Sequence, residues 1–452
     1  MKNIFFSAAL SALLVACAPN AEQATKVVIA TVNPGHFHAS LVQKVSSPQV
    51  SNDVYVYSLP GADLESHLAR IEGFNTREQD PTSWNEILYT GDDFLAKMVS
   101  DGKANVMVTA GDNSERTKYI KTAVQAGMNV LADKPMVITS QGFEELKECF
   151  DLADKTGVLL YDIMTERNEI TSILQKELAH IEPIYGIQKE GTAEEPGIEM
   201  ESVHNFFKMV AGSPLTRPAW FYDLDRQGEA IVDVATHLVD LVQWQLFPEQ
   251  IINCSDINMI SARHWPTPMT PEQFKLSTGL DSYPDFLAGS VKDGVLQVCT
   301  NGEMLYSIKG VTARVVALWN FESPNYADTH YCLMRGTKSN LVIRQGEAQG
   351  YRPELYIEAL DASAEYALKM SEAFASLADK YPGIQLETKD NGIWHVMIPD
   401  SYRVGHEAHF GQVTEHFLQY LEDGKLPDWE KPCMISKYYT TTKALEMARQ
   451  AE

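Results

Sequence analysis

The stretch VVIATVNPGHFHASLVQ, residues 27–43, decides the fold of the first half of the chain. The run VVIATV is typical of a buried strand, the Pro34-Gly35 pair predicts a tight turn, and a helix is expected to follow. A dinucleotide-binding domain carries three glycines at this place, so that its backbone can approach a pyrophosphate closely. Here one glycine, Gly35, stands before His36, and a second histidine follows at His38.

Predicted strands and helices alternate from this stretch to about Thr165. The strands are nearly continuous apolar runs: KVVIATV, DVYVYSL, ANVMVTA, MNVLAD and VLLYDIM. Helical patterns such as SERTKYIKTAVQAG and SQGFEELKECFDLADKTG lie between them. Apolar strands joined by helices are typical of a parallel sheet covered on both faces. We therefore predict a Rossmann-like, doubly wound α/β domain over residues 26–165.

The pattern changes after residue 165. Helices are expected as far as Leu246, and five strands then follow one another: GVLQVCT, GEMLYSIKG, ARVVALWNF, HYCLMRGTK and SNLVIRQG. A run of strands after helices predicts an α+β domain with an open, mostly antiparallel sheet over residues 166–452. The later stretch GHEAHFGQVTEHFLQYLEDGKLPDW is expected to form a helix that ends before Gly424.

Composition limits the partners of the chain. It has 452 residues, of which 37 are basic and 61 acidic, so its formal charge is −24. Nucleic acid and anionic membrane surfaces would be repelled by this charge, so we expect no nucleic-acid partner. A small neutral substrate, or one held by a local basic pocket, remains compatible with it.

The first residues resemble a bacterial lipoprotein leader. Lys2 precedes the apolar run IFFSAALSALLVA, which is shorter than the roughly 20 residues that span a bilayer and fits a secretory signal. The run ends in LLVAC, which resembles a lipobox, so we expect a signal peptide at residues 1–17, lipid on Cys17 and a polar tether at residues 18–25. An ordinary signal peptide is the alternative. The mature chain is expected in the periplasm or at the outer membrane, anchored by lipid.

A lysine follows the predicted strand MNVLAD. In ADKPM, Lys134 lies between Asp133 and a proline, at the carboxyl edge of the sheet. Ligands of open α/β folds bind at that edge, where a lysine can hydrogen-bond a substrate hydroxyl or a ribose. A surface turn without function is the alternative reading of this motif.

Three ionisable residues lie in an otherwise apolar segment, GEAIVDVATHLVDLVQW. Asp233, His237 and Asp240 are four and three residues apart, so on a helix they share one face. Buried charge is costly unless it is paired or used. A carboxylate that orients an imidazole, and an imidazole that moves a proton, would suit this pattern. A satisfied His–Asp pair in the core is the alternative.

Together the two motifs resemble the Gfo/Idh/MocA family of NAD(P)-dependent sugar oxidoreductases. The resemblance rests on Asp133-Lys134-Pro135, and on Gly228 followed by the Asp-x-x-x-His-x-x-Asp segment. The segment MRGTKSNLVI, around Gly336 and Thr337, is similar to a strand pair of the family's second domain. The end of the chain resembles a branch of that family common among exported bacterial lipoproteins.

The resemblance implies a mechanism. Lys134 would position and polarise a sugar hydroxyl, His237 would take or return its proton, and Asp233 would bind substrate and tune the histidine. NAD or NADP would accept the hydride. A homo-oligomer is also possible, because sheet-to-sheet dimers are common in the family.

The cofactor loop departs from the family pattern. Only Gly35 remains of the expected glycines, with Ala39 in place of the last of them. No acidic residue follows the second predicted strand, DVYVYSL, at the usual distance. Backbone amides still allow phosphate binding at the start of a helix. The candidate cofactor contacts are Asn33, Pro34, Gly35, His36, Phe37, His38, Ser58, Asp63, Asp112, Asn113, Asp133 and Lys134.

The two histidines of this loop raise the alternative of a metal site. Imidazoles suit zinc and other transition metals. Two ligands do not make a site, however, and a third would have to come from elsewhere, for instance His406 or His409. We therefore expect no metal ion and favour a capping or phosphate-contacting role for His36 and His38.

Other cations and aromatic residues are candidates for contact with a sugar. Most are expected on loops, and His406 at the start of a late helix. The candidates are His204, Lys208, Arg217, Trp220, Arg263, His264 and His406. The sequence therefore predicts an exported sugar or glycoside oxidoreductase with a tightly bound nicotinamide cofactor. Two alternatives stay open: a glycosidase that works by NAD-dependent oxidation and elimination, and a lipoprotein that binds glycans without catalysis.

Overall fold

The structure is a computed structural model that describes residues 26–210, 213–390 and 392–451. The expected leader and tether, residues 1–25 with the lipidation site Cys17, lie outside the described residues. Within the described ranges, no helix is both long and apolar enough to cross a membrane.

The first domain is a six-stranded parallel sheet with strand order β3-β2-β1-β4-β5-β6. This order is that of dinucleotide-binding Rossmann domains, so the predicted fold is confirmed. The strands are β1 Ile29–Val32, β2 Asp53–Ser58, β3 Asn85–Thr90, β4 Val106–Thr109, β5 Asn129–Asp133 and β6 Leu160–Ile163. The helices are α1 His38–Leu41, α2 Ala62–Thr76, α3 Phe94–Asp101, α4 Arg116–Gln125 and α5 Ser140–Thr156.

The second domain is built on a ten-stranded sheet, in which every pair is antiparallel except β7 with β13. The predicted mostly antiparallel sheet is therefore confirmed. Its strands are β7 Ile198–Asn205, β10 Ile257–Met269, β11 Val291–Lys292, β12 Val295–Ile308, β13 Val311–Asn320, β14 Thr329–Arg335, β15 Ser339–Gln345, β16 Glu354–Ala359, β17 Gln385–Asp390 and β18 Ile393–Met397; a separate two-stranded ribbon consists of β8 Met209–Val210 and β9 Ser213–Pro214.

Helices cover this sheet and join it to the first domain. They are α6 Ile170–Ala179, α7 Glu182–Tyr185, α8 Leu224–Gln227, α9 Ala235–Leu246, α10 Pro271–Thr278, α11 Ala364–Lys380, α12 His406–Asp423 and α13 Glu430–Gln450. Helix α12 ends at Gly424 in the left-handed conformation, as predicted. Phe410 and Phe417 of α12 and Tyr438 of α13 belong to the apolar core of the first domain. The end of the chain therefore packs on the Rossmann sheet.

Three expectations about the second sheet are wrong. Helices are expected as far as Leu246, but Ile198–Asn205 forms strand β7 between β13 and β14. The segments GVLQVCT and GEMLYSIKG form one strand, β12, because the side chain of Asn301 hydrogen-bonds Trp265 and Thr267 on one neighbour and Trp319 on the other instead of starting a turn. The segment ARHWPTP, expected as a loop, lies in β10. This strand is at the edge of the sheet, where prolines are tolerated because one side of the strand makes no ladder.

Candidate active site

The turn after β1 crosses the end of β4 at very close range. Asn33, at the place of the first expected glycine, has φ of 42°, which asparagine tolerates better than most residues. A Cβ on Gly111 would lie 2.7 Å from the Gly35 nitrogen, so Gly111 has to be glycine. The side chain of Asn33 accepts hydrogen bonds from the Ser58 hydroxyl and the Leu59 amide. Asn33 and Ser58 therefore shape the loop.

The helix expected after this turn is only one turn long, from His38 to Leu41. The amides of Gly35 and His36 both donate to the carbonyl of Ala110, at 2.9 and 3.2 Å. A helix of one turn has only a small macrodipole, so it attracts an anion weakly. The amides of Gly35 and His36 also already have an acceptor. Both amides are therefore engaged within the loop, and the phosphate site at this helix N-terminus stays a prediction.

Side chains from both domains meet beside Gly35. The indole of Trp220 donates to the carboxylate of Asp63, with 3.0 Å between Nε1 and Oδ2. The guanidinium of Arg226 lies 5.2 Å from the centre of the Trp220 ring and donates to Asp112 at 2.8 Å. The crevice above the loop is thus lined by a carboxylate, an indole and a guanidinium. On the adjoining loop, Asn113 donates to the carbonyl of Gln227, which holds α8 against the first domain.

Lys134 and Asp233 meet across the two domains. The Lys134 ammonium lies 2.7 Å from Asp233 Oδ1, and both side chains are about nine-tenths buried. The other carboxylate oxygen accepts from the amide of Gln227 at 3.0 Å. Asp233 lies on the turn before α9, which starts at Ala235, so the expected common helix face is wrong for this residue. The contact arises instead because that turn faces the end of β5.

The third candidate, His237, is close enough to Lys134 for the charge of the ammonium to act on its imidazole. Its Nδ1 is buried and has no hydrogen-bond partner among the described residues. Burial, followed by the positive charge of Lys134, lowers the pKa of His237 well below its usual value. The imidazole is therefore neutral near pH 7.

Histidines surround Asp133 at the same edge. His38 Nδ1 lies 2.9 Å from Asp133 Oδ2, and His36 Nδ1 lies 3.7 Å from the same oxygen. The ring of His406, at the start of α12, lies 5.3 Å from that of His38. Burial, and then His38, lowers the pKa of His406 to about 4. His409 is buried in the first turn of the same helix.

Two other predicted cofactor contacts lie in the turn after β1. Phe37 is exposed, whereas Pro34 is buried.

Two of the predicted sugar contacts, His204 and Lys208, bind one acidic residue in the second domain. His204 Nδ1 lies 3.0 Å from Asp328, and Lys208 pairs with the same carboxylate. His204 also stacks on Trp319, with 5.1 Å between the ring centres. These contacts satisfy both side chains within the second domain.

Other predicted sugar contacts have structural partners. Arg217 donates to the carbonyls of Phe206 and Asn205, and Arg263 is exposed and pairs with Glu303. His264 lies 2.5 Å from Glu229, and Cys299 is 3.2 Å from the same imidazole nitrogen. The Asp233 carboxylate is close enough to Arg217 to oppose the lowering of its pKa by burial, whereas Arg263 pairs with Glu303.

Asp240 belongs to a different cluster, which we call the ion network. Its carboxylate receives both Arg167 donors at 2.7 Å and the Lys437 ammonium at 2.9 Å. Lys437 is fully buried and also lies 2.7 Å from Asp162, and Arg167 also binds Glu430 at 2.8 Å. Asp240 lies one turn after His237 on α9, and its charge acts on that imidazole. Its direct partners, however, are two cations on other elements and not Asp233 or His237.

Sequence reasoning missed two residues of the crevice. Arg226, on the one-turn α8, adds a cation beside the cofactor loop, and no motif marks it. Burial, and then Glu169, raises the pKa of Glu166 to about 7, and the charge of Lys134 acts on it in the opposite direction. Glu166 follows the last strand of the Rossmann sheet at its carboxyl edge, which is a signal that was available in the sequence.

Comparison with known families accounts for this geometry. Residues 62–162 match the oxidoreductase family with a NAD-binding Rossmann fold, Gfo/Idh/MocA. Residues 174–449 match the "Putative oxidoreductase C terminal domain". The chain belongs to the Gfo/Idh/MocA oxidoreductase family. Its first domain is the family's NAD-binding fold, as the motifs around Lys134 and His237 predicted.

Solved structures share the fold of this chain. A crystal structure of a "putative oxidoreductase" from Parabacteroides merdae is 55% identical, covers 94% of this chain and 98% of its own, and has a TM-score of 0.93. A "putative oxidoreductase" from Thermotoga maritima has 13% identity, coverage of 94% and 99%, and a TM-score of 0.60. Levoglucosan dehydrogenase in complex with NADH and levoglucosan has 13% identity, coverage of 94% and 98%, and a TM-score of 0.61. No curated protein matches the sequence.

The side chains around Gly35 fit a nicotinamide dinucleotide. A Cβ on Gly35 would lie 3.4 Å from the Trp220 ring and 3.5 Å from the Asp63 carboxylate. Both side chains therefore flank the place where the backbone of Gly35 would contact a cofactor. Asp63 is suited to accept from ribose hydroxyls, and Arg226 to pair with a pyrophosphate. These groups now bind one another, so a cofactor would exchange those contacts for its own.

Proposed function

We propose that the chain oxidises a secondary hydroxyl of a sugar or glycoside with NAD as hydride acceptor. One observation carries the proposal: Lys134 and Asp233 meet at 2.7 Å across the domains. The imidazole of His237 has a buried Nδ1 without a partner among the described residues, and the charge of Lys134 acts on it. A lysine next to a neutral base is what oxidation of a hydroxyl requires, whereas binding alone does not need it.

The residues of this site divide the work between them. The Lys134 ammonium donates a hydrogen bond to the substrate hydroxyl oxygen and stabilises the alkoxide that develops on it. His237 takes the hydroxyl proton. Asp233 holds the ammonium in place and accepts from a second hydroxyl of the substrate. When bound, NAD would supply the hydride acceptor for the carbon that bears this hydroxyl, and loss of the hydride would leave a ketone.

The substrate class follows from the groups that face it. One cation, one carboxylate and one neutral imidazole can satisfy adjacent hydroxyls of a neutral polyol, and the strong negative charge of the chain disfavours anionic substrates. The fold relative that acts on levoglucosan supports a sugar as substrate. Asp63 favours NAD over NADP, since its carboxylate would repel the 2′-phosphate.

A second candidate function is favoured by Glu166. Its pKa near 7 provides a further base beside Lys134. Such a base can remove the proton from the carbon next to a transient ketone, after which the glycosidic bond breaks by elimination and the hydride returns to the sugar. This reaction cleaves a glycoside without net change in the cofactor.

We extend the proposal to the location of the chain. The apolar run that ends in LLVAC supports export and a lipid anchor on Cys17. An exported enzyme has no large pool of free NAD, so we expect the cofactor to be held tightly and regenerated within the site. Release of dinucleotide on denaturing the purified chain would support this.

The test is turnover on a panel of free sugars and glycosides with added NAD. Formation of NADH together with a keto-sugar supports the dehydrogenase, and cleavage of a glycoside without NADH supports the second candidate. Binding of glycans without either product, and no loss of that binding in His237→Asn, would leave only a binding protein. That result would overturn the proposal.

A further inference from the structure

Three potential metal ligands converge on one point at the carboxyl edge of the Rossmann sheet. They are His36, His38 and Asp133. Each offers one donor atom, and the three donor atoms lie within 4.8 Å of one another. The two measured separations from Asp133 Oδ2 are 2.9 Å to His38 and 3.7 Å to His36. Tetrahedral zinc with bonds of about 2.0–2.1 Å holds its donors roughly 3.3 Å apart. Small side-chain rotations would bring these atoms to that spacing.

The imidazole of His36 has a nitrogen that nothing satisfies. Its Nδ1 is buried and has no hydrogen-bond partner among the described residues. Leaving such a nitrogen unpaired is unfavourable for the folded chain. The rings of His36 and His38 meet edge to face at 84°, with 4.0 Å between their centres, so they surround a common point instead of stacking.

Asp133 is arranged to offer one oxygen to this point. Its Oδ1 accepts from the amide of Lys134 at 2.9 Å, while Oδ2 faces both imidazoles. The Lys134 ammonium pairs with Asp233, and Arg116 donates to the carbonyls of Pro135 and Gly111. The neighbouring cations are thus engaged elsewhere.

A fourth donor is available from the second domain. The ring of His406 lies 5.3 Å from that of His38, and Phe410 packs against both rings. An ion pair between Lys44 and Glu407 fastens the start of α12 next to α1. An ion at this place would be shielded by the phenyl ring on one side and would tie the two domains together.

We propose that His36, His38 and Asp133, with His406 as fourth donor, bind one divalent transition-metal ion. Two imidazoles and a carboxylate are the donors that zinc and iron(II) sites use, and they do not suit magnesium or calcium. The ion would lie next to Lys134, where it adds a Lewis acid for the substrate oxygen; that role rests on the proposed function, while metal binding itself does not.

A second cluster provides the comparison. Glu229, His264 and Cys299 also have donor atoms within 4.8 Å of one another. The Glu229 carboxylate, however, already pairs with Arg449 at 2.7 Å. Its charge is therefore compensated, and we expect no ion there.

The experiment measures metal binding directly, with no dinucleotide present. The full chain is stripped with a chelator, loaded with Zn²⁺ or Co²⁺ and desalted, and the metal is counted by elemental mass spectrometry. We expect one ion per chain, at least tenfold weaker binding in His36→Gln and in His38→Gln, and unchanged binding in His264→Gln. The visible absorption of bound Co²⁺ reports the coordination geometry.

Unfolding provides a second readout. Zn²⁺ should raise the unfolding midpoint of the chain and not that of His36→Gln, because an ion stabilises only a state that binds it. His36→Gln is expected to fold, since the His36 nitrogen has no partner to lose. The proposal is overturned by a chain that retains no ion, by equal retention in His36→Gln, or by loss in His264→Gln alone. NADH binding by His36→Gln, measured separately, keeps a failure here distinct from a failure of the proposed function.

Discussion

Two clusters of buried ionisable side chains join the two domains, and they differ in how completely their atoms are paired. In the ion network, Lys437 and Arg167 together bind three carboxylates at 2.7–2.9 Å. At the sheet edge, Lys134 and Asp233 are paired, but one nitrogen each of His237 and His36 has no partner in the part of the chain that the structure describes. His237 and Asp240 are one helical turn apart on α9, so the same helix serves both clusters.

The difference separates structure from function. A fully paired buried network loses much of its stabilising effect when one partner is removed, because the other charge is left buried alone. Unpaired buried nitrogens reduce stability, and they are retained where a ligand satisfies them. Changes in the ion network should therefore be seen in the unfolding free energy, and changes at the sheet edge in turnover and ligand binding.

The largest expected effect is that of Lys134→Met on turnover. Loss of the ammonium removes the donor to the reacting oxygen, and kcat/KM should fall about 10³-fold, within the range for acid–base groups. Steady-state rates on the best substrate of the panel measure it. Lys121→Met, a matched exposed lysine paired with Glu148, is the control. Unchanged kcat/KM in Lys134→Met would show that the carboxyl edge of the sheet takes no part in the reaction.

Asp240→Asn should have the largest effect on stability. It removes the carboxylate charge that both Arg167 and Lys437 bind, so the positive charges of these buried side chains are no longer fully compensated. The free energy of unfolding should therefore fall by about 3–5 kcal/mol. Denaturant titration measures this loss. Glu365→Gln, at an exposed helical pair, should leave the midpoint unchanged. Equal midpoints for both variants would show that the ion network does not stabilise the fold.

The pH dependence of stability sharpens the same contrast. Burial would raise the pKa of Asp240, but Arg167 and Lys437 outweigh it and hold the pKa well below its usual range. A depressed folded-state pKa contributes stability above the unfolded value of about 3.9, and this is lost as pH falls through the folded pKa. The difference in unfolding free energy between the chain and Asp240→Asn should therefore be largest above about pH 5 and shrink in stronger acid. A difference that grows on acidification would contradict this assignment.

The smallest predicted effect concerns the cofactor. In Asp63→Asn the amide keeps an acceptor for Trp220 but loses the charge, so NADH binding should weaken about tenfold and discrimination against NADPH should decrease. Fluorescence titration with both dinucleotides measures it. Asp53→Asn, at an exposed strand start, is the matched control. No change in either affinity would place the ribose elsewhere.

Local patterns predicted much of this molecule. The apolar strands gave the parallel sheet, and the position of Lys134 at a strand end, with Asp233 and His237 in an apolar segment, predicted residues that the structure brings together. The partners of Asp240 could not be predicted, because Arg167 and Lys437 come from distant elements. Arg226 and the His38–Asp133 contact were missed for the same reason, since both depend on how separate loops pack.

Binding of NADH to the purified chain is the most direct test of the claim that the sheet edge is a dinucleotide-dependent active site. Energy transfer from tryptophan to the nicotinamide, followed during a titration, should saturate and should be reversed by NAD. It should be weakened in Asp63→Asn. No saturable binding of NADH or NADPH by the folded chain would contradict the account.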